Sequence, residues 1–201
     1  MSRAPAPTSQ VASTTAGFEH EIAVEPDEEL RAELLAMMAE DQAVRTGIAP
    51  PGDSRTSEEL FAAWDSVDAA NAARMREVLD EYGWPGWSLV SEDGAEAAWV
   101  LVQHADLQLD LQKRGLAMLE AAVAAGDASL GDLAYLTDRV LVAEGQPQIY
   151  GTQVSIEPDG TITPRTPIVD EADVDARRAE AGLGTIEEYH EELREMFGDN
   201  P

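Results

Sequence analysis

The chain has 201 residues, 44% of them hydrophobic, with four Trp and six Met, which is enough to build the core of one domain with tails. It has no Cys, which excludes a disulfide framework, a thiolate nucleophile and a cysteine-ligated zinc site. With 40 acidic against 13 basic residues and a formal charge of -27, it is a poor partner for nucleic acid or an anionic membrane surface, while a basic protein partner stays open though acidic composition alone does not show one.

The start, MSRAPAPTSQVASTTAGFE, has no sustained apolar run, and no stretch approaches the roughly 20 apolar residues of a membrane span, so the expected location is cytoplasmic. Residues 1–18, rich in Ala, Pro, Ser and Thr, read as a disordered tail, and residues 19–201 as a single domain. His20 lies between Glu19 and Glu21 and reads as a surface residue.

A first helix is predicted from about Asp27 to Arg45, with Leu30, Leu34, Met37 and Met38 as its apolar stripe and Gly47 and Pro50–Pro51 as its stop. Helical spacing puts Asp41 and Arg45 on one face. Thr56 and Glu59 have capping-box spacing and open a second helix to about Tyr82. Asn71 interrupts its stripe of Leu60, Trp64, Val67, Met75 and Val78, and Asp68 follows Trp64 by one turn. Gly83 to Trp87 and Ser91 to Gly94 read as turns.

Ala95 to Gln112, AEAAWVLVQHADLQLDLQ, reads as a helical spine, apolar on more than one face yet carrying Gln103, His104, Asp106, Gln108 and Asp110. Polar groups placed in a core must be paired or used. After a slight break at Asp110 a helix continues to about Ala125. Ser129 and Asp132 cap another, which holds Asp138–Arg139 among apolar residues and closes at Gly145. QIYGTQVSI, from Gln148 to Ile156, has strand periodicity, and EPDG with Thr161 to Thr163 completes an antiparallel hairpin near 148–163. Gly151 within that strand can admit a backbone or a ligand at close range. A short helix from Asp173 to Ala181 carries Arg177 and Arg178, and Thr185 and Glu188 cap the last one. The fold class is therefore mainly α, a single helical domain with a small antiparallel β-hairpin packed on it.

His104 is the one histidine inside the core region, and a neutral imidazole can both give and take a proton near neutrality. Asp41, Asp68 and Asp138 are better placed to orient it than Asp106, which points elsewhere on a helix. Asp138 and Asp68 are the leading choices for catalysis beside His104. Asn71, Gln103, Thr152 and Gln153 offer hydrogen bonds to a substrate, and Arg45 or Arg139 can pair with a carboxylate or phosphate. Arg177 and Arg178 are further arginines that could turn to a pocket. No nucleotide-binding glycine motif, HExxH, GxSxG or EF-hand loop is present, and neither a cofactor nor a metal is called for. His104 with Asp41 and Asp138 is the one set that could hold a divalent cation.

Asp41-Gln42 with Arg45, Asp68 with Asn71, Gly83-Trp84-Pro85, Gln103-His104-Ala105, Asp138-Arg139 and Gly151-Thr152-Gln153 together resemble a bacterial family catalogued as domain of unknown function 6624, over roughly Leu30 to Leu183. The resemblance implies that these polar residues are signature positions sharing a pocket, which favours an enzyme, but it implies no particular reaction. The expectation is a small soluble enzyme using His/Asp acid–base chemistry on a small polar or peptide-like anionic substrate, with hydrolysis placed ahead of elimination and isomerisation. The alternative is an acidic binding or immunity-type protein that neutralises a basic protein partner.

Overall fold

The computed structural model describes residues 25–45, 56–157 and 159–197. The expected N-terminal tail, His20 and the helix stop at Gly47 and Pro50–Pro51 lie outside the described residues. Five longer helices come first: α1 (Glu28–Arg45), α2 (Ser57–Glu81), α3 (Trp87–Gln103), α4 (Leu109–Ala124) and α5 (Leu130–Ala143). The two-stranded antiparallel sheet β1 (Val154–Ile156) and β2 (Ile162–Pro164) follows, then a 3-10 turn (Glu171–Asp173), α6 (Val174–Glu180) and α7 (Ile186–Phe197). None of the described helices is long and apolar enough to cross a membrane.

α3 is the centre, in contact with α1, α2, α4 and α5. Its buried side chains are small where α1 crosses it: Gly94, Ala95, Ala97 and Ala98 let the two backbones lie close. Leu34, Met75, Val78, Leu101, Leu111 and Leu136 are almost wholly buried around this axis, one or two from each long helix. Each such side chain contributes about 1.5–3 kcal/mol by leaving water, more than helix propensity supplies over the same turns.

The N-terminus of α3 is closed from a distance. Gly86 caps with its backbone alone, and Asp127 from the α4–α5 loop accepts from the backbone amides of Trp87 (3.1 Å, at its carbonyl) and Ser88 (2.7 Å, at Oδ1). A Cβ on residue 86 would lie 2.6 Å from the Asp127 carbonyl oxygen, so only glycine allows this approach.

Two expected elements are shorter than the sequence pattern implies. The helix from Ala95 to Gln112 does not run through: α3 ends at Gln103, His104 caps it, and α4 starts at Leu109. Ala105, within the break, and Leu111, just beyond it, are both buried. The freed Gln103 carbonyl accepts from Gln112 Nε2 at 2.8 Å, so the turn leaves that helix end satisfied. The strand expected over Gln148 to Ile156 is formed only at Val154–Ile156, paired with Ile162–Pro164. Gln148 keeps a single parallel bridge to Ile168, and the segment then wraps around Asp138, whose carboxylate takes the amides of Ile149, Tyr150 and Thr152 in place of a partner strand.

Gly151 turns this loop with φ +68°, and a Cβ there would meet Ile168 Cδ1 at 2.7 Å and Ile186 Cδ1 at 2.8 Å. It is a buried corner rather than an opening for a ligand. Gly151→Ala is expected to lose about 1–3 kcal/mol, read as a lower midpoint in urea unfolding.

Candidate functional site

The site begins with the i, i+4 spacing on α1. Asp41 and Arg45 share a face, and the guanidinium binds the carboxylate through Nη2 (2.9 Å to Oδ1) and Nε (3.0 Å to Oδ2). Asp41 is 1% exposed, so this is an internal pair rather than a surface one. Arg45 also reaches Asp68 Oδ1 on α2 at 2.5 Å, and it lies over the Trp64 ring, 4.7 Å from the ring centroid. Trp64 in turn donates its indole N–H to Asp68 Oδ2 at 3.0 Å. One arginine is thus held by two carboxylates and an aromatic face, a geometry suited to its planar charge.

His104 enters from the C-terminal end of α3, and its Nδ1 lies 2.8 Å from Asp41 Oδ2. A carboxylate there selects the tautomer with the proton on Nδ1 and leaves the lone pair on Nε2. Nε2 has no hydrogen-bond partner among the described residues, and the His104 side chain is 19% exposed. The chain Asp68–Arg45–Asp41–His104 therefore ends in an imidazole oriented through its Nδ1.

The two carboxylates are pushed in opposite directions. Burial raises Asp41, but hydrogen bonds from His104 and Arg45 outweigh it and hold the group below the usual range. Burial also raises Asp68, and there Arg45 does not fully offset it, while the Asp41 charge adds to the rise. Environments that drive two acids apart in this way accompany acid–base sites.

Asp138, expected to orient His104, does something else. It is fully buried and accepts from the backbone amides of Ile149 (2.7 Å) and Thr152 (2.9 Å), from that of Tyr150, and from the Thr152 hydroxyl (3.1 Å). The acid on His104 is Asp41, and Asp68 joins it one step removed, through Arg45. His104, Asp41 and Asp138 accordingly do not form a metal-ligand set, and no group of three such side chains is found among the described residues. Arg177 and Arg178 are likewise structural: Arg177 donates to the Ile149 and Val169 carbonyls, and Arg178, 2% exposed, donates to those of Tyr150 and Gly184.

Four expected substrate-binding residues, Gln103, Arg139, Thr152 and Gln153, do meet. They line an open cavity of about 550 Å³, walled further by Tyr135 and Arg165. Arg139 is held by a bidentate pair to Asp106 (2.8 and 2.7 Å) and extends Nη1 toward Gln153 Oε1 at 3.4 Å. His104 lies outside the lining of this cavity, though its neighbour Gln103 stands within it. Gln103 Oε1 is buried without a partner among the described residues, as is the Asn71 amide nitrogen one turn beyond Asp68. Unpaired buried polar atoms are rare in native folds and mark places where a bound polar molecule would complete the pairing.

Arg165 has no signal in the sequence. It is exposed at the hairpin, its Nε donates to the Val154 carbonyl, and no carboxylate pairs with it among the described residues. In a chain of charge -27 an unpaired guanidinium at a cavity wall is itself informative. Only the hairpin register, which sets Val154 opposite Pro164, brings it there.

The fold and site define a mainly helical protein with a buried Arg-buttressed Asp–His pair beside a polar cavity. The chain belongs to a family of unknown function, DUF6624, whose model matches residues 27–200. No curated protein and no solved structure matches it.

Proposed function

We propose that the protein is a small cytoplasmic enzyme, a hydrolase in the first instance, in which His104 Nε2 is the general base or acid and Asp41 positions it. The observation that supports this best is the 2.8 Å contact from His104 Nδ1 to a carboxylate that is 1% exposed, made by an imidazole that itself keeps 19% exposure. Arg139 and Arg165, with the Gln103 and Gln153 amides, suit a small polar substrate bearing a carboxylate or phosphate. No nucleophile beside the imidazole is required if the base activates water.

The test is a panel of dipeptides, N-acyl amino acids, carboxylic esters and phosphate monoesters, followed by mass spectrometry. The native chain should consume members that carry an anionic group. His104→Ala should lower turnover by about 100-fold or more with its circular dichroism unchanged. Arg165→Ala should raise KM several-fold with little change in kcat, because it removes binding shared by substrate and transition state. Undiminished turnover in His104→Ala would rule the mechanism out. Collapse of the fold in that variant would assign the imidazole a structural role.

A further inference from the structure

On the other side of Tyr135 lies a second cavity, of about 580 Å³, lined by Trp87, Trp99, Tyr135, Asp132, Glu180 and Leu130. Its chemistry is the reverse of the first. No Arg or Lys stands in its lining, and two of the lining residues are acidic. Trp99 is fixed in place: its indole N–H donates to the Asp132 carbonyl at 3.0 Å, and its ring meets that of Tyr135 edge-on at 6.1 Å. Trp87 and Leu130 remain 38% and 52% exposed, which leaves apolar surface open to a ligand.

Asp132 is the unusual member. It sits in the first turn of α5 and makes no salt bridge among the described residues. Burial, with the Glu96 charge adding to it, pushes its carboxyl up to about 6. The fold thus holds a half-buried acid with no cation paired to it among the described residues. The N-terminal end of α5 offsets part of this charge, since Asp132 lies in its first turn. The N-terminal end of α5 and the C-terminal end of α6 both meet the cavity, and their half charges are opposite in sign. The carboxylates of Asp132, Glu180 and nearby Glu96 therefore decide the potential, which is negative.

We propose that this cavity binds a small organic cation, an alkylated ammonium group seated against the faces of Trp87 and Trp99 and opposite the Asp132 carboxylate. Aromatic faces attract a cation by their quadrupole and shed little hydration energy doing so, while an alkylated ammonium brings apolar surface to the indoles. A bare metal ion would gain nothing from those rings. An uncharged apolar ligand would leave the half-buried carboxylate without a counter-charge.

The experiment titrates the full-length protein with choline, and in parallel with its uncharged tert-butyl analogue, reading indole N–H resonances by NMR. Saturable shifts of the Trp87 and Trp99 signals are expected with choline and not with the analogue. Asp132→Asn, which keeps the side chain's shape, should weaken choline binding at least tenfold. Glu180→Gln, at the exposed rim, should weaken it by a smaller factor and guards against misfolding of the first variant. Equal binding of the uncharged analogue, unchanged affinity in Asp132→Asn, or no saturation by choline would each overturn the assignment. So would saturation of the same indole signals by a lysine-rich peptide alone, which would point to a protein partner instead.

Discussion

An Asp138→Ala variant is expected to unfold at a clearly lower urea concentration than the native chain, with a loss of about 3 kcal/mol or more. Three backbone amides, those of Ile149, Tyr150 and Thr152, depend on this carboxylate, and the Thr152 hydroxyl makes a fourth bond. Leaving a buried donor unsatisfied costs about 1–3 kcal/mol, and Asp138 has no exposure through which water could replace it. Against a typical total stability of roughly 5–15 kcal/mol this is a large share. Asp138→Asn should also destabilise, because its amide group would set a donor against a donor. The loop these bonds hold also carries Thr152 and Gln153 to the cavity, so binding at Arg139 and Gln153 should weaken with it. The His104–Asp41 pair lies on other elements and should persist in the folded fraction. Unchanged stability with activity abolished would return Asp138 to the catalytic role that its helix position suggested.

That contrast shows where sequence reasoning reaches and where it stops. Signals carried within one turn were legible. Thr56 with Glu59 and Thr185 with Glu188 form reciprocal capping boxes, Ser129 accepts from the Asp132 amide, and Asp41 and Arg45 pair across one helical turn. The polar residues that interrupt apolar stripes were also legible as a set. Which of them meet was not. His104 and Asp41 are 63 residues apart, and no local pattern separates Asp41 from Asp68 or Asp138 as its partner. The break after Gln103 leaves no mark in the periodicity, which records only which residues are apolar. The turn is held by side chains that satisfy a helix end from nine residues away, as Gln112 does. The alternation over Gln148 to Ile156 suggests one strand because amides in extended segments usually find a ladder, and here one carboxylate takes the amides of Ile149, Tyr150 and Thr152 instead.

Asp41→Asn should lower turnover on any substrate found by about 1,000-fold or more while the helical content is retained. In a comparable arrangement, replacing the orienting carboxylate by an amide leaves the geometry but favours the wrong imidazole tautomer, at a cost of about 10,000-fold. Here the carboxylate holds the proton on Nδ1 at 2.8 Å and keeps Nε2 free to accept. A long-range proton–nitrogen correlation of the His104 ring distinguishes the two tautomers directly, and a residue with only a packing role would not move it. The same substitution has a pH signature. Asp41 is held below its ordinary value of 3.8 in the fold, so its contribution to stability is present above that value and is lost as pH falls through the lower, folded one. The acid limb of the unfolding curve should therefore flatten in Asp41→Asn below about pH 4. Asp68 works in the opposite sense, since its raised carboxyl favours the fold when protonated and loses that contribution as pH rises. Arg45 binds both acids, and without the Asp41 charge the guanidinium would rest on Asp68 alone. A native tautomer and native turnover in Asp41→Asn would show that the buried pair serves only to fasten α1 to the end of α3.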